Sequence, residues 1–308
     1  MAHYLVTGGC GFIGSHLCDA LLTAGHRVRI LDDLSTGKLA NKPEAAELLE
    51  GDVADPVLAA RALADTDGCF HLAAVASVEK ANRDWLGTHR SNLTGAIAVF
   101  DAARRARGGQ PIPVIYASSA AVYGANPQIP LNEDSAPRPL SAYGADKLGC
   151  ELHGRVAWHI HRVPNIGLRF FNVYGPRQDP RSPYSGVISI FVDRLRAGRD
   201  IDVHGDGSQV RDFIFVKDVV RHLLAAMTKA TAENRVFNVC TGKAISILAL
   251  AQAIGRVLQR EPVIARQPPR QGDIKMSLGN PANATRFLGV AAETPLDEGL
   301  LATVRAAD

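Results

Sequence analysis

The sequence lacks the features typical of membrane, exported or nucleic-acid-binding proteins. No apolar run reaches the roughly 20 residues needed to span a bilayer, and the first residues show no charged segment followed by an apolar core and a cleavage site. A net charge of +3 over 308 residues is too small to indicate nucleic acid or a membrane surface as a partner. We therefore expect a cytoplasmic protein without either partner.

Cysteine is also scarce and shows no paired spacing. The chain has an odd number of five cysteines, and none forms a Cys-x-x-Cys motif. They are Cys10, Cys18, Cys69, Cys150 and Cys240. This pattern predicts free thiols in a reducing compartment and no disulfide framework or zinc site. No metal is predicted from the histidines either, because His153, His159 and His161 do not fall into a ligand spacing.

What is present is an ordinary globular composition with one strong local pattern. Hydrophobic residues make up 46% and charged residues 21%, enough apolar material for a sizeable core. A short apolar run at Tyr4–Thr7 leads into a glycine turn, a helical segment follows, and a second apolar run ends at Asp32. Strand, glycine turn, helix, strand and acid in this order are typical of a βαβ dinucleotide-binding unit.

The glycine turn predicts a set of cofactor contacts. Glycines let the backbone approach a pyrophosphate, whose charge then lies at a helix N-terminus. The residues predicted to bind here are Gly8, Gly11, Phe12, Ile13 and Gly14.

Further cofactor contacts are predicted where later strands end. Asp32, with Asp33 as the adjacent candidate, can accept hydrogen bonds from an adenosine ribose and would repel a 2′-phosphate, which favours NAD over NADP. Lys38 nearby weakens this preference, because its charge could tolerate a further phosphate. Asp52 and Val53 follow another strand and could face the adenine, and Ala73 lies in a run of small residues suited to contact the cofactor.

Strand and helix signals continue to alternate along the chain, which predicts an α/β fold with a doubly wound parallel sheet, a Rossmann fold. A proline-rich stretch at 175–186 marks the entry into a smaller mixed α/β lobe. We expect residues 1–172 plus 213–240 to form the NAD-binding domain and residues 173–212 plus 241–308 to form the substrate-binding lobe.

Tyr143 and Lys147 are a candidate proton-transfer pair. If their segment is helical, a spacing of four residues places both side chains on one face. A tyrosine at its reference pKa of about 10 is a poor base at neutral pH, and a nearby cation favours the phenolate. Alone, the spacing also fits a surface tyrosine beside a lysine.

Together these motifs resemble the extended short-chain dehydrogenase/reductases, and within them the UDP-hexose 4-epimerases. The matching segments span nearly the whole chain in the order of the family. They are Thr7-Gly-Gly-Cys-Gly-Phe-Ile-Gly-Ser-His-Leu17, Leu31-Asp-Asp, Ser118-Ser-Ala-Ala-Val-Tyr-Gly124, Tyr143-x-x-x-Lys147, Arg169-Phe-Phe-Asn-Val-Tyr-Gly-Pro176 and Arg211-Asp-Phe-Ile-Phe-Val-x-Asp218.

The resemblance implies bound NAD, a UDP-sugar substrate and a transient 4-keto sugar. It makes Tyr143 the base and Ser119 the hydroxyl that bonds the sugar oxygen. Lys147 is the cationic partner of Tyr143 and holds the nicotinamide ribose, so that Tyr143 and Lys147 also count among the cofactor contacts. Family 4,6-dehydratases carry Asp-Glu after that hydroxyl, whereas this chain has Ala120-Ala121. Dehydration is thus disfavoured. Another nucleotide-sugar oxidoreductase or decarboxylase, or a non-catalytic NAD-sensing protein, remains an alternative.

For the substrate, the resemblance implies four contacts and a preference. Asn172 would bond the diphosphate, as would Arg211 and Arg270. Ser277 matches a position where a large aromatic restricts the pocket, and its small size favours UDP-N-acetylglucosamine and UDP-N-acetylgalactosamine, with UDP-glucose and UDP-galactose as further substrates. The family often forms homodimers through two helices, for which the stretches 90–105 and 148–161 are the candidates.

Overall fold

Parallel strands joined by helices build the larger part of the molecule, as the alternation along the sequence predicts. The computed structural model describes residues 1–180, 186–230, 234–269 and 274–306. Within these ranges, no helix combines the length and apolar character needed to cross a membrane.

The strands are β1 (His3–Thr7), β2 (Arg27–Asp32), β3 (Glu47–Glu50), β4 (Gly68–His71), β5 (Val114–Ser119), β6 (Asn165–Phe170), β7 (Asn172–Tyr174), β8 (Ile201–His204), β9 (Val210–Arg211), β10 (Phe213–Phe215), β11 (Asn234–Val239), β12 (Ile245–Ser246), β13 (Ile264–Gln267) and β14 (Met276–Ser277). The helices are α1 (Phe12–Thr23), α2 (Pro56–Leu63), α3 (Val78–Arg83), α4 (Trp85–His89), α5 (Gly95–Ala103), α6 (Ala142–His161), α7 (Val187–Arg196), α8 (Val216–Lys229), α9 (Ile247–Leu258), α10 (Ala282–Leu288) and α11 (Leu296–Arg305). Short 3-10 turns lie at Leu39–Asn41 and Ala120–Tyr123, and a π-helical turn at Arg90–Thr94 joins α4 to α5.

The main sheet has seven parallel strands in the order β11-β6-β5-β4-β1-β2-β3. The order reverses between β1 and β4, where Thr7 is the register partner of His71. Ligands of doubly wound sheets bind beyond the carboxyl ends of the strands at such a reversal. The predicted fold class is therefore confirmed, and the topology fixes where a ligand site is to be sought.

Apolar side chains cover both faces of this sheet. One buried cluster joins β1, β5 and β6 to α1 and α8, and a second joins the opposite face to α5 and α6. Burial on both faces explains why these strands are nearly continuous apolar runs in the sequence. A third cluster, built from α7, α9, α11, β8 and β10, forms the core of the smaller lobe. The division into two domains stays a prediction, which these separate clusters support.

The stretch 165–174 has the composition of one continuous strand, but the structure breaks it at Phe171. The amide of Phe171 donates to Val239 O at the end of β11 (3.1 Å), whereas the amide of Asn172 donates to Asp212 O (3.0 Å). Neighbouring amides therefore bond to different sheets, and β7 pairs with β10 in the smaller lobe. The hydrogen-bond partners, which lie far away in the chain, decide this break.

Helix α6 carries the candidate catalytic residues and has well-defined ends. The hydroxyl of Ser141 accepts from the amide of Gly144 (3.1 Å) and caps the start. Arg162, in the left-handed conformation with φ of 56°, ends the helix. The chain then turns directly into β6, which lies beside β5 in the sheet.

Candidate active site

The glycine turn between β1 and α1 is closely packed against the neighbouring strand end. Gly8 has φ of +71°, and a Cβ there would lie 2.8 Å from the amide nitrogen of Ala73. A Cβ at Gly14 would collide with the carbonyl oxygen of Gly8. Both positions require glycine, since a side chain would push the turn away from β4 or open the start of α1.

Asp32 ends β2 in a buried position beside this turn. One carboxylate oxygen accepts from the amide of Cys10 and the other from the amide of Leu34, both at 2.9 Å. Burial raises the pKa of Asp32, and the two amide donors act against that rise. These two hydrogen bonds fix the orientation of the carboxylate. Each of its oxygens still has a lone pair that can accept from a ligand hydroxyl.

The other predicted adenosine contacts also lie at strand ends. Asp33 is exposed, and its carboxylate accepts from the amide and hydroxyl of Ser35 (3.0 and 2.7 Å). Asp52 accepts from the amide of Ala54 (2.8 Å) and from the guanidinium of Arg90 (3.0 Å). Its neighbour Val53 is buried.

Ser119, Tyr143 and Lys147 come together from β5 and α6. Ser119 is the last residue of β5, and its hydroxyl accepts from the amide of Ala121 (3.1 Å). Tyr143 lies in the first turn of α6, and Lys147 follows one turn later with its Nζ atom 5.9 Å from the centre of the Tyr143 ring. Lys147 is buried and donates to Ala117 O at 2.9 Å.

One cavity of about 400 Å³ joins these groups along the carboxyl edge of the sheet. It extends from the glycine turn and Asp32 to the three side chains of β5 and α6. The predicted residues that line it are Gly8, Gly11, Phe12, Ile13, Gly14, Asp32, Asp33, Asp52, Val53, Ala73, Ser119, Tyr143, Lys147 and Asn172. The structure therefore brings all the predicted cofactor contacts and the proton-transfer pair to one site.

The cavity fits a dinucleotide. Gly11 caps α1 without a side chain, and no acidic residue lies in the first turn of this helix. The amides there are the donor set that a pyrophosphate requires. Asp32 stands where an adenosine ribose would need an acceptor, and the far end of the cavity holds a phenol, a hydroxyl and an ammonium.

The predicted substrate contacts are less closely assembled. Asn172 is exposed and lines the cavity. Arg211 and Ser277 do not line it, although they are register partners in the small sheet of β9 and β14. The Arg211 guanidinium donates to the carbonyl oxygens of Ile274 (2.6 Å) and Val210 (2.9 Å). Arg270 lies outside the described residues.

Sequence reasoning assigned no role to several residues that border this site. Arg177, Gln178 and Asp179 line the cavity, and Lys38 forms an ion pair with Asp179 at 2.6 Å. Behind the cavity, Glu151 and Arg169 form a buried ion pair. Glu151 follows Lys147 at helical spacing and could have been noticed, but its partner on β6 has no local signal.

Metal ligands are not clustered in the described part of the chain. No group of three or more His, Cys, Asp or Glu side chains there could hold a metal ion.

A doubly wound sheet with a glycine turn at its reversal, and a serine, tyrosine and lysine beyond it, defines a dinucleotide-dependent enzyme. Residues 4–240 match the model of the NAD dependent epimerase/dehydratase family, and the chain belongs to this family. A "UDP-glucose 4-epimerase" of Mycolicibacterium smegmatis is 37% identical over 307 residues, covering 97% of this chain and 96% of the relative.

Two solved structures are similar over nearly the whole chain. The UDP-N-acetylglucosamine 4-epimerase from Methanobrevibacter ruminantium, in complex with UDP-N-acetylmuramic acid, has a TM-score of 0.93 and 35% identity over 99% of this chain and 98% of its own. The UDP-glucose 4-epimerase of Thermotoga maritima, with UDP-glucose, has a TM-score of 0.93 and 34% identity with the same coverage. The predicted family, an NAD cofactor and an enzymatic role are thereby confirmed.

Proposed function

We propose that the protein is an NAD-dependent UDP-sugar 4-epimerase that inverts C4 through a 4-keto intermediate. The observation that carries the proposal is the single cavity shared by the dinucleotide turn and by Ser119, Tyr143 and Lys147. Relatives that bear the name of a UDP-sugar 4-epimerase match over almost the whole chain, which supports it.

Each of the three side chains has a distinct proposed role. Tyr143 accepts the proton of the sugar 4-hydroxyl as C4 is oxidised and returns it after reduction. Ser119 hydrogen-bonds the same sugar oxygen from the end of β5. Lys147 keeps a positive charge beside the phenol and donates towards the cofactor ribose. When bound, NAD supplies the acceptor and donor of the C4 hydride.

Four residues are proposed as substrate contacts. Asn172, Arg211 and Arg270 would bind the diphosphate, for which guanidinium groups are well suited. Ser277 would leave room for an N-acetyl group. The two residues after Ser277 bring the chain towards the cavity. Leu278 O accepts from the amide of Leu131 (2.8 Å), and Gly279 packs closely against Phe171, which lines the cavity.

We further propose UDP-N-acetylglucosamine and UDP-N-acetylgalactosamine as the preferred pair, with UDP-glucose and UDP-galactose as further substrates. The small size of Ser277 supports this preference. A cytoplasmic location is part of the proposal, since all five cysteines are free, buried thiols, the state that a reducing compartment preserves.

A homodimer is also proposed, with α6 at its centre. Leu152, Val156 and Ile160 recur every fourth residue of this helix and are exposed. Trp85 and Leu86 of α4 add further exposed apolar area. Exposed apolar side chains in such a row are typical of an interface, and a second copy of the chain would bury them by symmetry.

Product analysis tests the proposed activity. NAD-loaded protein is incubated in turn with the four UDP-hexoses, and the sugar products are separated after hydrolysis. We expect the C4 epimer of each substrate to form. The two epimers should reach the same final ratio whichever of them is supplied, and no net NADH should form. Net reduction of NAD, release of carbon dioxide from a UDP-uronate, or no turnover by the loaded protein would overturn the proposal.

A further inference from the structure

A buried ion pair lies directly behind the candidate catalytic residues. The side chains of Glu151 and Arg169 are each 7% exposed. Arg169 donates through Nε to one carboxylate oxygen of Glu151 (2.8 Å) and through a terminal nitrogen to the other (2.6 Å). This two-pronged arrangement is the most directional form of a charged hydrogen bond and fixes both side chains in orientation.

The pair joins the two elements that carry the reacting hydroxyls. Glu151 lies one helical turn after Lys147 and two after Tyr143, and so on the same side of α6. Arg169 is the register partner of Ser118, the residue before Ser119. The hydroxyl of Ser118 donates to Glu151 at 2.5 Å, so that β5, β6 and α6 meet at one carboxylate.

A second branch of this network holds the other side of Ser119. Arg169 also donates to the hydroxyl of Tyr123 (2.7 Å), which lies in the short turn after Ser119 and donates in turn to Asn238 (2.6 Å). Burial raises the pKa of Tyr123 to about 12, so this phenol stays protonated and acts as a donor. Ser119 therefore lies between two anchored neighbours, Ser118 and Tyr123.

The positive charge of Arg169 is maintained in the folded protein. Burial opposes the positive charge of Arg169, but the hydrogen bonds and the charge of Glu151 outweigh this effect and raise the pKa of Arg169. An arginine paired in this way has no protonation change to contribute at neutral pH. Any contribution of Arg169 to a reaction therefore comes from the way it holds neighbouring residues in place.

We propose that Glu151 and Arg169 are positioning residues, which set the distance between the Ser119 and Tyr143 hydroxyls without touching substrate or cofactor. Neither residue lines the cavity. The proposal rests on the proposed function for its reaction, though the distance itself can be measured independently. A misplacement of about 1 Å between reacting groups can cost on the order of 100-fold in rate.

The double substitution Glu151→Leu with Arg169→Met separates positioning from stability. Removing one partner would leave an unpaired buried charge and unfold much of the protein, whereas apolar replacement of both is often tolerated. We expect the NAD affinity to stay close to that of the wild type and the thermal midpoint to fall by only a few degrees, because the Ser118 hydroxyl loses its acceptor. We expect kcat to fall about 10-fold or more, with KM within about twofold.

A control tests whether the loss of any ion pair that joins two elements of the domain has this effect. Arg29 on β2 bonds Glu47 on β3 at 2.8 Å, and neither lines the cavity. The double variant Arg29→Met with Glu47→Leu should keep the wild-type kcat. Ser118→Ala removes the hydroxyl that links β5 to Glu151, at a residue that also lines the cavity, and should lower kcat less than the double variant does.

Crystal structures of the NAD-loaded wild type and the Glu151→Leu, Arg169→Met variant complete the test. We expect the distance between the Ser119 and Tyr143 hydroxyls to change or to take more than one value in the variant. An unchanged distance, or a folded variant with wild-type kcat, would overturn the proposal. Absence of epimerisation by the wild type would instead overturn the proposed function, and the crystal distance would still decide the positioning role.

Discussion

The ammonium group of Lys147 donates to the carbonyl oxygen of Ala117 at 2.9 Å, and this bond fastens α6 to the end of β5. Ala117 precedes Ser119 by two residues, and Lys147 follows Tyr143 by one helical turn. One buried hydrogen bond therefore connects the strand and the helix that carry the two hydroxyls of the proposed site.

Replacing Lys147 with methionine should weaken both cofactor binding and turnover. The variant loses the buried charge and its bond to β5, while methionine still fills the space. We expect the Kd for NAD to rise about 10-fold, and kcat/KM to fall on the order of 100-fold. Lys243→Met, at an exposed position, is the control. Wild-type NAD affinity and turnover in the Lys147→Met variant would contradict its proposed role.

Tyr143→Phe should abolish proton transfer and leave the cofactor site intact. Removal of a positioned general base costs about 10²- to 10⁴-fold in rate. We expect a fall of this size in kcat, with the NAD affinity measured by titration unchanged. Tyr4→Phe, at a tyrosine on β1 that does not line the cavity, should keep full activity. Equal activity of the two variants would remove Tyr143 as the base.

Ser277→Tyr tests the proposed preference for N-acetylated sugars. The larger side chain should narrow the pocket next to the 2-substituent of the sugar, so kcat/KM for UDP-N-acetylglucosamine should fall about 10-fold more than that for UDP-glucose. Met276→Tyr is a matched control, because the neighbouring residue of a strand points to the opposite side and Met276 is exposed. Equal losses of kcat/KM on both substrates would refute the proposed role of Ser277 in substrate preference.

The proposed dimer should dissociate when charge is placed on the exposed face of α6. We expect the wild type to sediment as a dimer, and the variant Leu152→Glu with Ile160→Glu to sediment as a monomer, since two carboxylates in a buried interface are strongly unfavourable. Val263→Glu places a carboxylate at an exposed apolar position outside α6 and should remain dimeric. A wild type that sediments as a monomer at micromolar concentration would contradict the proposed homodimer.

Because His71 is buried, we expect the folded protein to lose stability in acid. The Thr7 hydroxyl accepts from the amides of Leu72 and Ala73 (both 3.2 Å), so its proton is donated to Nδ1 of His71 (2.8 Å). Burial, with a smaller contribution from the Lys147 charge, lowers the pKa of His71 from 6.5 to about 3. Between these values the unfolded chain binds a proton that the folded protein does not, so stability falls as pH falls.

Urea unfolding at pH 7 and pH 5 measures this effect. At pH 5 the His71 contribution should lower the free energy of unfolding by about 2 kcal/mol. His71→Asn keeps an acceptor for the Thr7 hydroxyl and should reduce the difference between the two pH values by this amount. His159→Asn, at an exposed position, should keep the wild-type pH dependence. Identical pH dependence of wild type and His71→Asn would contradict the prediction.

Local chemistry made the fold class and most of the cavity predictable. The requirement for glycine at Gly8 and Gly14 follows from the backbone geometry of a phosphate-binding turn, and the acid at the end of β2 is needed to accept hydrogen bonds from a ribose. The break of the strand 165–174 at Phe171 could not be predicted from the sequence, because it depends on hydrogen bonds to the distant residues Val239 and Asp212. The same limit explains why the pairing of Glu151 with Arg169 was not predicted.

The amino-acid sequence was enough to predict the order of most strands and helices, the turn that can receive a dinucleotide, and a tyrosine and a lysine at helical spacing. These are properties of short segments, set by backbone conformation and by the repeat of the helix. The tertiary structure was needed to show that Ser119, Tyr143 and Asp32 share one cavity, and that a buried carboxylate joins α6 to β5. Such relationships depend on strand order and on packing across the sheet, which no local pattern encodes.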